Sequence, residues 1–347
     1  MKQIKQTFNR TIYFDYLRVF ATFAVIILHV SAQNWYSTDV NGYDWQIFNF
    51  YDSIVRWGVP VFVMISGSLF LNRDIPFKKI YTKYILRMVI AYIVWSAIYA
   101  LSTPGNIKIQ FLKGHYHMWF IPMIIGLYIC IPIIKTIVED DNITKYFIIL
   151  AFIFAFAIPE IKTLANDFGN DFIVNHIKIF NTHISNMHMN IVLGFTIYFI
   201  LGYYINKITL TRKQISIIYI LGILGFISTI LLDSAVALKT QAACGNYYGN
   251  FNVNILFEAL FVFTWFKYKE YNNKRINSLI QKLSKYSFGA YLVHALIIEK
   301  LKSIAGLTTL SFNSALSVIV ISTTVFIISF SISALLNKIP VLNKYIV

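Results

Sequence analysis

The chain has 347 residues, of which 57% are hydrophobic, 17% aromatic and 13% charged, with a mean hydropathy of +0.63. A soluble domain carries about 25% charged residues, so this chain lacks the charge to cover a water-facing surface, which excludes a soluble enzyme, a disordered chain and a disulfide-stapled secreted domain. The formal net charge of +15 does not point to nucleic acid either, because the basic residues fall in connections between apolar blocks and not in a nucleic-acid-binding pattern.

In chain order, the apolar blocks are long enough to cross ~30 Å of hydrocarbon as helix. They place ten spans near 12–33, 52–72, 83–102, 117–137, 143–160, 189–206, 214–233, 252–268, 287–305 and 313–336. The expected fold class is an all-α polytopic membrane protein of about ten transmembrane helices. No small-residue cleavage site follows the first apolar run, so that run reads as a retained helix. Gly58-Val59-Pro60 and Pro122 interrupt their spans, which neighbouring helices in a bundle tolerate. The longest connection, 161–188, is expected as an outer loop carrying His176, His183 and His188. Cys130 falls in a span and Cys244 in a loop, without disulfide or zinc spacing. No connection is long enough for a soluble domain and no repeat is visible, so residues 1–347 read as one membrane domain with no fused soluble domain.

Orientation follows from the lysines and arginines. With the N-terminus in the cytoplasm, 21 of the 30 lie inside, 8 outside, and Arg18 lies within the first span. Both termini are therefore expected in the cytoplasm, in a multi-pass protein of the plasma (inner) membrane.

Ionisable groups inside spans are costly and by default mark a function or a buried pair. Arg18 and His29 are eleven residues apart, a rise of ~16 Å with only ~20° between their directions, so they share one face of the first helix. His117, in the run His115-Tyr116-His117-Met118-Trp119-Phe120, enters the fourth span at the depth of His29, where the two rings can meet. Tyr116 and Trp119 also fit an interfacial aromatic belt. A His-x-His pair without a carboxylate at fixed spacing is a weak metal signal, so no metal is expected. Lys83 and Arg87 stand four apart at the start of the third helix, on one helical face suited to the phosphates of a cytoplasmic donor. Tyr291 and His294 lie in the ninth span, with Glu299 further out, and Glu258 in the eighth. A glutamate beside His29 would orient its ring; a structural Glu–Lys or Glu–His pair is the competing reading.

Together these segments resemble the acyltransferase 3 family of membrane acyltransferases. The resemblance rests on Asp15-Tyr16-Leu17-Arg18 through Ile27-Leu28-His29, on Val59-Pro60-Val61-Phe62 to Ser66-Gly67, and on His117-Met118-Trp119-Phe120-Ile121-Pro122 with Gly126, Tyr128 and Pro132. Tyr198-Phe199 with Gly202-Tyr203-Tyr204, and Ser287 through Tyr291 to His294, complete it. The resemblance implies transfer of an acyl group, usually acetyl, from cytoplasmic acyl-CoA to a glycan or lipid-linked saccharide, with no bound cofactor. It makes His29 the catalytic histidine and Arg18 its partner, and the reading of the residues themselves adds His117 and Glu258 to the catalytic set. Lys83 and Arg87 become the donor-binding pair, with Tyr84 where the family often has arginine. Trp119, Tyr291 and His294 are the candidate cavity-lining residues. Without a hydrolase-like or racemase domain, the chain looks most like stand-alone polysaccharide O-acetyltransferases of the enterobacterial common antigen type.

A neutral imidazole can take the proton of a hydroxyl as it attacks a thioester. Whether His29 first becomes acylated or acts only as base stays open at this level. The same polar stripe would serve a transporter or flippase for a lipid-linked glycan, but the paired repeats of that class are missing. A structural partner of a polysaccharide assembly complex is the third reading.

Overall fold

A computed structural model describes residues 11–187, 189 and 194–347. The basic residues Lys2, Lys5 and Arg10, and His188, lie outside the described residues. Every regular element described is a helix: α1 (Ile12–Ser31), α2 (Tyr43–Ser53), α3 (Gly58–Leu71), α4 (Phe77–Lys79), α5 (Leu86–Ser102), α6 (Ile107–Lys113), α7 (Phe120–Glu139) and α8 (Asp141–Ala151). The second half holds α9 (Ile158–Phe168), α10 (Asp171–Ser185), α11 (Thr196–Lys207), α12 (Arg212–Thr240), α13 (Val253–Tyr268), α14 (Lys274–Ala305), α15 (Ser314–Leu336) and α16 (Pro340–Tyr345). π-Helical turns at Ile80–Ile85 and Phe152–Ala157 join α4 to α5 and α8 to α9, and a 3₁₀ turn at Tyr116–Trp119 leads into α7.

Among the described residues, seven helical stretches are long and apolar enough to cross a membrane: Ile12–Ser31, Tyr43–Leu71, Phe77–Ser102, Ile107–Glu139, Asp141–Phe168, Arg212–Thr240 and Ser314–Leu336. The other three expected spans fall on α11, α13 and α14. α11 and α13 have 12 and 16 residues, short of the ~20 that a helix needs to cross. α14 has 32 residues, but Lys274, Arg275, Lys282 and Lys285 crowd its first half. The connection 161–188 is a correction to the expected loop: it is largely helical, with His176 and His183 on α10.

Local chemistry explains the boundaries. The side chains of Asn106, Asp140 and Asn273 each accept two backbone N–H groups at the starts of α6, α8 and α14. Thr211 and Gln214 form a reciprocal capping box at the start of α12. Gly306, with φ +64°, closes α14 in the left-handed region that favours glycine.

Packing then positions the site. Lipid tails are as apolar as leucine, so helices associate through close approach of small residues and buried hydrogen bonds. α3 and α11 meet at glycines: a Cβ on Gly67 would lie 1.8 Å from the Phe199 carbonyl oxygen, and one on Gly202 2.0 Å from that of Met64. The Ser68 hydroxyl donates across this seam to the Gly202 carbonyl at 2.6 Å. α1 packs against α3, α14 and α15, and the buried Ser284 hydroxyl of α14 donates to Asp15 of α1 at 2.7 Å.

Candidate active site

α1, α14 and the segment leading into α7 bring four histidines together. His29 Nδ1 lies 2.8 Å from His294 Nε2, with the rings stacked at 5.0 Å. His294 Nδ1 lies 2.5 Å from the Tyr291 backbone carbonyl of its own helix. A carbonyl oxygen only accepts, so His294 Nδ1 carries a hydrogen. With both rings neutral, His294 Nε2 is then the acceptor and His29 Nδ1 the donor. The chain of donors ends at His29 Nε2, which keeps an unprotonated lone pair.

A second pair stands beside the first. His115 Nε2 is 2.8 Å from a Glu299 carboxylate oxygen, and His115 Nδ1 is 2.8 Å from His117 Nδ1. An ionised Glu299 accepts from His115 Nε2, which makes His115 Nδ1 the acceptor from His117. His117 Nε2 is buried and makes no hydrogen bond of normal geometry. The rings of His117 and His29 are 6.4 Å apart, and those of His117 and His294 5.0 Å. Tyr99 stacks on His115 at 4.1 Å and donates to the Leu292 carbonyl at 2.8 Å, tying α5 to α14.

Below the histidines a cavity of about 420 Å³ opens between the same helices. Arg18, Arg73, Arg87 and Lys285 line one end, and Val25, Val59, Phe62, Phe120, Ile121 and Tyr291 the other. Arg18 reaches Asp15 at 3.6 Å. Arg87 donates to the Val347 backbone carbonyl, and its Nε is buried without a partner. A cationic mouth leading to an apolar end suits an anionic headgroup carrying an apolar arm.

The candidate residues separate into those that meet here and those that do not. Arg18, Arg87 and Tyr291 line the cavity, while His29, His117 and His294 form the cluster above it. Lys83 is exposed and does not line the cavity; Tyr84 does. Ile80–Ile85 is a π-helical turn, and in it Tyr84, next to Lys83, is the residue that reaches the cavity. Trp119 is 44% exposed and its ring lies 5.7 Å from that of Phe195, leaving Phe120 to line the cavity. Glu258 is buried on α13 and accepts from Thr229 of α12 at 2.6 Å. The carboxylate that meets a histidine is Glu299.

His115, Glu299, Arg73 and Lys285 were not marked as site residues by sequence reasoning. Glu299 follows His294 by five residues and His115 precedes His117 by two, so their nearness was visible, but their pairing spans 184 positions. Among the described residues, no three His, Cys, Asp or Glu side chains are arranged to hold a metal ion. Comparison with curated proteins and with solved structures finds no match. The family model described as an acyltransferase domain matches residues 11–336, nearly the whole of the chain, which therefore belongs to the acyltransferase 3 family.

Proposed function

We propose that this chain transfers a short acyl group from cytoplasmic acyl-CoA to a hydroxyl of a glycan or lipid-linked saccharide on the outer side of the plasma (inner) membrane. The observation that supports this best is the cavity itself: cationic at one end, apolar at the other, and aimed at a histidine with an unprotonated Nε2. In this reading the chain crosses the bilayer ten times, α11, α13 and α14 included, with both described ends on the cytoplasmic side and the whole chain acting as one membrane domain.

The chemistry follows from the lone pair. Arg18, Arg87, Arg73 and Lys285 hold the phosphates of CoA, and the thioester end points up α1 toward His29. The acceptor hydroxyl oxygen forms its bond to the acyl carbon while its proton passes to His29 Nε2. The C–S bond breaks, its electron pair leaves on sulfur, and the imidazolium returns the proton to the thiolate. His294 holds the tautomer that leaves Nε2 free, and His117 lies beside the acceptor. Glu258 has no part in these steps beyond its place in α13.

The test uses full-length protein in nanodiscs with acetyl-CoA and a membrane lipid extract carrying the cell's lipid-linked saccharides as acceptor, following release of CoA thiol, and cells in which ester-linked acetate on surface glycan is quantified. His29→Ala is expected to lower thiol release by at least about 100-fold and to remove glycan acetate while polymer amount holds. Wild-type rates from that variant would sink the proposal, and loss of the polymer itself would favour transport. Arg87→Ala is expected to weaken CoA binding by about 10-fold, read by calorimetry.

A further inference from the structure

The cavity stops one helical turn short of a histidine on three helices at once. On α1 the last lining residue is Val25, four before His29. On α14 it is Tyr291, three before His294, and on α7 it is Ile121 with Phe120, three to four after His117. Three or four residues are one turn, ~5 Å along each axis. The intervening layer is packed, with Ile26, Met118 and Leu292 each 0% exposed. Tyr291 belongs to both sides of it. Its ring lines the cavity and lies 5.4 Å from that of His117, 5.8 Å from that of His294 and 5.8 Å from that of Phe120. Its hydroxyl donates to the His117 backbone carbonyl at 2.5 Å.

We propose that Tyr291 sets the length of the acyl chain this enzyme transfers, by forming with Phe120 and Ile121 the partition between the donor cavity and His29. The inference rests on the acyl-CoA reading above. For the thioester carbon to reach His29 Nε2, the acyl group, as the leading end of the donor, must first pass through the one-turn layer of packed side chains beyond the cavity. A methyl needs little room there, whereas each further methylene displaces part of the Tyr291 ring or its neighbours. The bonds made and broken stay the same: the ester C–O bond forms, the C–S bond breaks, and the hydroxyl proton passes through His29 to the thiolate. What the partition changes is which acyl groups arrive in line with Nε2.

The experiment compares acetyl-CoA with butyryl-CoA, using CoA thiol release by full-length protein in nanodiscs with the same lipid-linked saccharide extract as acceptor. Wild-type protein is expected to favour acetyl-CoA. Tyr291→Ala is expected to raise the butyryl-to-acetyl ratio of kcat/KM by about 10-fold or more, in the range that one or two methylenes confer in an apolar pocket. Tyr291→Leu, which keeps apolar bulk where alanine fails to fold, moves the ratio the same way. Tyr291→Phe keeps the ring and leaves the ratio where it was. An unchanged ratio in the alanine and leucine variants, equal loss on both donors, or a wild-type protein indifferent to chain length would each overturn the proposal. No thiol release by wild-type protein from either donor would instead overturn the acyl-CoA reading, and this inference with it.

Discussion

His29 owes its tautomer to a neighbour 265 positions away. Alone, an imidazole chooses between two tautomers; the Tyr291 carbonyl removes that choice from His294, and His294 removes it from His29. His294→Ala is therefore expected to lower turnover by about 10-fold or more through the wrong tautomer, with CoA binding unchanged, a split that kcat and calorimetry separate. Equal loss of binding and turnover would point to misfolding. That His29 needed a polar partner was legible, because an ionisable ring in an apolar run stands out. Its partner was not: Glu258 and Glu299 are both glutamates near one surface, and only the packing of α14 beside α5 and α7 takes Glu299 to His115 while Glu258 turns to Thr229. The same limit applies at the cationic end of the cavity, which Tyr84 lines and Lys83 does not.

At the scale of elements, the close seams are where substitution acts most sharply. Gly202→Ala would drive a methyl into the Met64 backbone, and no side-chain rotation relieves a clash with a carbonyl. The expected loss is about 3 kcal/mol or more, above the usual range for overpacking, measured as a lower unfolding midpoint in detergent. A variant as stable as wild type would mean that α3 and α11 do not meet at these glycines. Gly126 tests the contrast, since nothing lies within 4 Å of its added Cβ, and Gly126→Ala, inside α7, is expected to keep stability or raise it by up to about 1 kcal/mol. Periodicity located both helices but could not rank their glycines, because the difference is what the partner helix presents.

For the molecule as a whole, the proposed topology puts Cys244 on the outer side. Burial pushes its thiol above the ordinary range, so little thiolate, the reactive form, is present at neutral pH. Labelling of intact cells by a membrane-impermeant maleimide is expected to be slow near pH 7 and to accelerate as pH rises toward the elevated value, with Cys244→Ser removing the signal. Label that appears only after permeabilisation would reverse the orientation.

Sequence alone determined that this chain lives in a membrane, that its regular structure is helical, which family it resembles, and that Arg18, His29 and His117 deserved a reason. The resemblance rests on short motifs in a known order, and the other conclusions need only composition, apolar run length and helical spacing, all of which are local or additive. The tertiary structure decided which carboxylate faces a histidine, which lone pair is free, which cations line one cavity and how far that cavity reaches. These depend on contacts between segments tens to hundreds of residues apart, whose relative rotation and depth are set by interhelical packing and by irregular turns that an ideal helical repeat does not encode.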